Sequence, residues 1–513
     1  MFRRLLSVGG FTLLSRITGF LRDMLMAWFL GKGVLSDALI VAFLFPNYFR
    51  SIFGEGTINP AFLPRYAALR ARGENAAAAL FADRVFSWQM LAQLVLLITA
   101  MAFMPVIMHV VAPGFADNPG QLAVTVALAR ITFPYLILTV VAIQLSAMLN
   151  AIEKFWAAAA WSNLQNLGII ATLLASQWFP NAAYAAAWGM LLGGVAQLIF
   201  MLWAGGREGL SLRIAWPKWT PEIKEFFIAL GAVTVGSASY LIAPFIDTVI
   251  ASLLPVGSRT ALYFGDRVNQ LPLGVLGIAI GTVLLPEMSA RLAVGDRTRS
   301  DAAQNRSAAL SLLLTLPFMA AFIAIPDTIM RAIFAHGAFD KNAAALSAIA
   351  LATYGAGLPA MALTRIFQAT FYARHDTITP ARTTVTAIVV NIALKVVFVW
   401  GLHLGIAGIA LGTSLGAWVN VGLLVLVGHR RNLLVLSSDF WRSLLPAVFA
   451  AGATAIVAYG AVNVGHRILH EGRFLQVELL IIAIVFSAIA YGLVVFLCRR
   501  RLPLGRLGGK GAF

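Results

Sequence analysis

The sequence predicts an all-α polytopic membrane protein, and three observations carry that prediction. Of 513 residues, 60% are hydrophobic and only 12% charged. A soluble chain of this size has nowhere to put so much apolar surface, because more than half of an ordinary accessible surface is already apolar. Apolar stretches of about 20 residues, the length that crosses a bilayer as a helix, recur from end to end. The basic residues fall mainly in every second loop between those stretches, as membrane topology requires. The ~10-residue alternating strands of a membrane barrel are not visible. The net charge of +17 is explained by the same loops, so a nucleic-acid partner is not expected.

Fourteen apolar spans are expected, near 7–30, 34–62, 82–112, 122–150, 156–179, 183–204, 222–254, 260–288, 306–325, 343–372, 381–403, 405–428, 442–464 and 474–498. Span 1 follows Arg3-Arg4 and superficially resembles a signal peptide. No small-residue cleavage site follows, and Arg16 and Arg22 interrupt the apolar run, so it reads as a retained helix. Gly31-Lys32-Gly33 breaks the chain before span 2, and Ala112-Pro113-Gly114-Phe115 reads as a turn after span 3. Loops after even-numbered spans are basic (Arg65, Arg70 and Arg72 after span 2; Arg207, Arg213 and Lys218 after span 6), and the tail adds Arg499, Arg500 and Arg501. Loops after odd-numbered spans carry fewer basic residues, Lys32, Arg259, Lys341, Arg467 and Arg473 among them, so both termini are expected in the cytoplasm.

Spans 7 and 8, with a break at Pro255-Val256-Gly257-Ser258 and an end at Leu285-Pro286, echo spans 1 and 2. Two six-span lobes, 1–205 and 206–430, fit a transporter built from repeats, with two further helices over 431–498 and a basic tail over 499–513. Cys498, the only cysteine, has no partner for an intramolecular disulfide.

The chemistry lies in charges placed inside apolar spans. Arg16, Arg22, Asp23, Asp37, Arg50 and Glu55 sit in or beside spans 1 and 2, with Asn47 preceding Arg50. An arginine at a helix centre costs roughly 2.5–3.5 kcal/mol on insertion scales, so these groups are expected to face a water-filled cationic cavity. Arg22 and Asp23 are neighbours and should point to different faces of their helix. Arg267 is the counterpart from span 8, flanked by Asp266 and Gln270. Guanidinium groups bind phosphate oxygens bidentately, which suits a diphosphate ligand. The structural alternative is that the arginines snorkel or pair with Asp23, Asp37 and Glu55. Asp247 in span 7 and Lys395 in span 11 are isolated charges, and Asn391 shares a face with Lys395. They read either as a buried ion pair or as a coupling site. Arg365 in span 10 is a cavity candidate or an end residue. His466 and His470 are four apart but lack a third ligand, so no metal is expected. A Walker loop and a nucleophile–base set are both absent from the sequence, so no cofactor and no enzymatic step are expected.

Taken together, Ser15-Arg16-Ile17-Thr18-Gly19-Phe20-Leu21-Arg22-Asp23, Ser36-Asp37-Ala38, Pro46-Asn47 followed by Arg50, and Phe53-Gly54-Glu55-Gly56 resemble the MurJ (MviN) family. Ala112-Pro113-Gly114-Phe115-Ala116, Asp266-Arg267 with Pro272-Leu273-Gly274-Val275, and Phe371-Tyr372-Ala373-Arg374 add to the likeness. These are lipid II flippases of the multidrug/oligosaccharidyl-lipid/polysaccharide exporter superfamily. The resemblance implies a fourteen-helix transporter of the bacterial inner membrane, with a central cationic cavity between two lobes. Its substrate would be undecaprenyl-diphosphate-linked disaccharide-pentapeptide, moved by alternating access for peptidoglycan synthesis. The family's cavity arginines map onto Arg16, Arg22, Arg50 and Arg267, its acidic cavity residue onto Asp37, and its lipid-tail groove onto spans 13 and 14. The expected partners are lipid II and membrane lipid, with cell-wall synthesis machinery as a further candidate, and the expected state is a monomer. Two departures stand out. Gln270 occupies a place where many relatives carry an acid, and Lys395 a place where some relatives put an acidic sodium ligand, so the Lys395 ammonium is expected to stand in for that ion. A drug antiporter of the same superfamily would prefer an acidic cavity. A glycosyltransferase or ligase using the same lipid would need catalytic carboxylates on a substantial external loop.

Overall fold

The computed structural model describes residues 2–50, 58–279, 284–470, 472, 474–499 and 502. Among them the regular structure is entirely helical. Among the described residues, nine helical runs are long and apolar enough to cross a membrane by length and composition alone. The chain forms an all-α polytopic membrane protein of two compact units, Met1–Thr260 with Gly337–Phe339, and Ala261–His336 with Asp340–Phe513.

The first unit begins with α1 (Phe2–Leu30), α2 (Val34–Arg50) and α3 (Ile58–Ala71). α4 (Asn75–Val111) is the longest helix, and a 3₁₀ turn over Pro113–Asp117 follows it at the expected break. Asn118 then caps α5 (Pro119–Thr132) by accepting from the Gln121 amide, with Pro119 in the first turn, where its missing N–H is harmless. α6 (Tyr135–Ala151) continues the same span after Pro134. α7 (Phe155–Ala160) and α8 (Ser162–Leu174) share the next span, and Asn181 caps α9 (Ala182–Arg207) through the Ala183 and Tyr184 amides.

α8 lies unusually close to α9. A methyl placed on Gly168 would stand 2.6 Å from the Gly193 Cα, so glycine at both positions is what lets the two backbones touch. α10 (Pro221–Ser252) packs on α3 and α4, and Arg65 bonds Glu225 at 2.7 Å. α10 therefore belongs to the first compact unit, which ends at Thr260, whereas the sequence reading divides the lobes after residue 205. The core here is built on a stack of Phe62 with Tyr66 and Phe81, at ring separations of 5.1 and 5.5 Å.

The second unit takes in most of α11 (Ser258–Ala279), then α12 (Leu285–Ala293), α13 (Arg297–Ala324), α14 (Pro326–Phe334), α15 (Lys341–Gly355) and α16 (Leu358–Tyr372). α17 (Ile378–Val396) runs into a π-helical turn over Val397–Gly401, and α18 (Gly405–Arg430), α19 (Ser438–Ile468) and α20 (Leu475–Leu497) complete the chain. α13 is the hub: α12, α15, α16 and α19 all pack on it, over a core that includes Leu312, Leu316, Phe367 and Phe371. α19 and α20 pair closely, and most of α20 faces outward.

Prolines inside α2, α4, α10, α11, α13 and α19 are compatible with membrane helices, where neighbouring helices and side chains satisfy the freed backbone groups.

Candidate functional site

In the first unit the chemistry is organised around Arg22. Its Nη1 donates to the Asn166 carbonyl oxygen at 3.0 Å, and its Nε and Nη2 donate to one carboxylate oxygen of Asp23, at 3.0 and 2.7 Å. This corrects the expectation that Arg22 and Asp23 point apart. Their Cα–Cβ vectors diverge on the helix, but the arginine side chain is long enough to fold back over its neighbour's carboxylate. The Asp23 side chain is 3% exposed and that of Arg22 14%. A buried carboxylate beside a partly open guanidinium fixes the cation in place and leaves it an accessible edge.

Asn166 is itself held. Its amide donates to the Ser15 carbonyl and to the Thr18 hydroxyl, both at 3.2 Å, and that hydroxyl donates to the Asn163 side-chain oxygen at 3.3 Å. Ser162 bonds Ser15 through their hydroxyls at 3.2 Å. A polar seam thus runs between α1 and α8 from Ser15 to Arg22. Sequence reasoning did not single out Asn163 or Asn166. Their signal is legible, since Ser162-Asn163-Leu164-Gln165-Asn166 is a polar cluster in an otherwise apolar span, and residues three apart share a helix face.

Arg16 is exposed on α1, while Asn47 and Arg50 are half-buried on α2. Glu55 lies outside the described residues. Asp37 makes its contacts away from Arg22, at the start of α11. It is 2% exposed, and its carboxylate accepts from the amides of Gly257 and Thr260, at 2.6 and 2.8 Å, and from the Thr260 hydroxyl at 2.5 Å. Those amides lie at the N-terminus of α11, one just before it and one in its first turn, so Asp37 acts as a helix cap supplied from a distant part of the chain.

In the second unit Arg267 lies over the Tyr263 ring, 4.8 Å from its centroid, and donates to the Tyr263 hydroxyl at 3.0 Å. The i, i+4 spacing puts ring and guanidinium on one face, where stacking orients a planar cation. Gln270, exposed, donates its amide to the Asp266 carboxylate. Where an acid would repel Asp266, the amide instead pairs with it. Arg365 is exposed on α16, with Nη1 3.5 Å from the Leu273 carbonyl.

Lys395 is fully buried, and Asn391, one turn earlier on α17, is 6% exposed. Both lie against glycines of α18. Gly412 meets the Lys395 side chain, and a methyl on Gly416 would come within 2.7 Å of the Asn391 Cβ. Asp247 is half-buried on α10, in the first unit.

The family model for "Lipid II flippase MurJ" matches residues 26–497. The chain is 35% identical over 510 residues to the Rhizobium tropici protein named "Probable lipid II flippase MurJ", covering 96% of this chain and 94% of that one. It is 30% identical over 507 residues to "Lipid II flippase MurJ" of Burkholderia cenocepacia, covering 96% and 97%. Among solved structures, "Lipid II flippase MurJ, inward closed conformation" superposes with a TM-score of 0.80 at 22% identity, over 95% of this chain and 98% of that one.

Proposed function

Because the chain belongs to the lipid II flippase MurJ family, we propose that its arginines carry the diphosphate of lipid II across the bilayer by alternating access. It is a transporter rather than an enzyme and a multi-pass protein of the inner membrane. The observation that supports the arginine assignment most is the anchoring of Arg22. A guanidinium held by Asn166 and by the buried Asp23 is pre-oriented, so binding an anion costs it little rotamer entropy. Arg267, oriented by Tyr263, is the matching group of the second unit, and Arg16, Arg50 and Asn47 are assigned supporting contacts with the same ligand. Asp23 and Asp266 are assigned the positioning of the neighbouring groups, and Arg365 a secondary place in the cationic lining.

Positive-inside bias supports cytoplasmic termini. Asp247, Asn391 and Lys395 are proposed as an energetically coupled set in which a tethered ammonium replaces a mobile cation. The apolar α19–α20 pair is proposed to meet the prenyl tail. Depleting the protein in cells and measuring which leaflet holds lipid II tests the function. Accumulation in the inner leaflet is expected, and an unchanged distribution would contradict it.

A further inference from the structure

Between α9 and α10 the chain runs without regular structure over residues 210–220, and this strap is tied along α4. The Arg213 amide donates to the Asp83 carboxylate and the Ala215 amide to the Ser87 hydroxyl, both at 2.8 Å, while the Trp88 indole donates to the Lys218 carbonyl at 3.3 Å. Amides two residues apart bind side chains four apart on α4, the match between extended chain and helix repeat. Pro217 keeps Trp216 extended, and Trp219 closes the strap by packing on Trp88 and Phe227, at 5.3 and 5.5 Å. This fixed backbone holds Ile214 and Trp216 outward, 84% and 81% exposed, between the exposed Arg213 and Lys218.

α4 itself gives the depth of this surface. Its outward apolar residues, including Leu91, Leu94, Ile98, Phe103, Val106 and Val110, span twenty positions, about 30 Å of helix and one hydrocarbon thickness. Ser87 and Asp83 lie four and eight residues before Leu91, roughly 6 and 12 Å beyond the hydrocarbon edge. The strap bonded to them is therefore at headgroup level, where tryptophan and basic side chains are favoured together.

We propose that the 210–220 strap is a docking surface for anionic phospholipid headgroups, with Ile214 and Trp216 seated among the headgroups and Arg213 and Lys218 on phosphates. Charge complementarity selects an acidic leaflet as occupant. Assigning it to the cytoplasmic leaflet rests on the orientation proposed above, whereas the depth and the lipid chemistry do not.

The test uses the full-length protein with Cys498→Ser and a spin label at Ile214→Cys, reconstituted in vesicles of phosphatidylethanolamine and phosphatidylglycerol. Labels at Leu94→Cys and Arg72→Cys serve as hydrocarbon and water references. Relative accessibility to oxygen and to a water-soluble nickel chelate reads depth, and the label's line shape reads its motional restriction. The 214 label is expected to read headgroup depth, and to lose motional restriction when phosphatidylcholine replaces the acidic lipid. Each basic residue at an anionic surface strengthens binding roughly five-fold, so Arg213→Gln with Lys218→Gln is expected to raise the phosphatidylglycerol fraction needed for half the effect, or to abolish the effect. A water-like signal at 214 in acidic vesicles, as a soluble partner's surface would give, overturns the proposal. So does label–label broadening, the mark of a second copy seated there, or a motional restriction indifferent to lipid charge and to the double substitution. Sidedness of labelling at residue 72 in cells tests the orientation separately.

Discussion

Lys395 is the most demanding side chain to place in this protein, an amine that is fully buried on an apolar helix. An isolated buried ammonium is very unfavourable, so a charged Lys395 requires compensation from groups that respond to its removal. Removing one member of a buried charge pair typically costs about 3–5 kcal/mol, because the other is stranded. For the coupled set proposed above, Asp247→Ala and Lys395→Ala are each expected to lower thermal stability, with the double variant losing less than the sum by at least about 1 kcal/mol. Strict additivity in that cycle would remove the coupling. The same scale shows what side-chain chemistry lets a sequence reveal. The arginines announce themselves because a charge in an apolar span is conspicuous. Asn163 and Asn166 show in the sequence only as part of a polar cluster, and it is the fold that brings them to Ser15, Thr18 and Arg22. Asp37 is conspicuous for a different reason than expected, since its contacts are the backbone amides at 257–260, more than two hundred positions away.

At the level of helices, α8 carries the polar seam, and its contact with α9 depends on glycine. A methyl at Gly168 would lie within 2.6–2.8 Å of the Gly193 Cα, the Gly189 carbonyl and the Gly193 nitrogen, all of them backbone that cannot swing aside. Gly168→Ala is expected to destabilise the protein by about 1–3 kcal/mol and to reduce transport by displacing Asn166. Gly206→Ala on α9, where nothing lies within 4 Å, is the control expected to be near neutral. Equal melting temperatures for the two variants would show that the close approach does not matter. Hydropathy placed helix in every apolar span, but it averages over about 20 residues and cannot register where a span divides. Hence the breaks at Phe133-Pro134, at Trp161 and at Ala356-Gly357 appear only in the structure, where proline and local turns end one helix and start the next.

Across the whole molecule, the bias of the basic loops is the ground for the proposed orientation, and the two compact units each carry an anchored arginine. In the Cys498→Ser background, a cysteine at position 72 is expected to react only from the cytoplasmic side, and labelling from outside intact cells would reverse the topology. That the chain is a transporter of this family was legible from the pattern of charged motifs. How each arginine is oriented was not, because Tyr263 and Asn166 carry no charge and are meaningful only beside Arg267 and Arg22. The central claim is that these two guanidinium groups bind the diphosphate, and translocation of lipid II in vesicles reconstituted with purified Arg22→Ala or Arg267→Ala tests it most directly. A charge-assisted hydrogen bond is worth roughly 1.5–3 kcal/mol, so each variant is predicted to translocate about 10- to 150-fold more slowly, Arg267→Ala at unchanged melting temperature and Arg22→Ala at a lowered one, because the buried Asp23 carboxylate loses this partner. Wild-type rates from both variants would contradict the account.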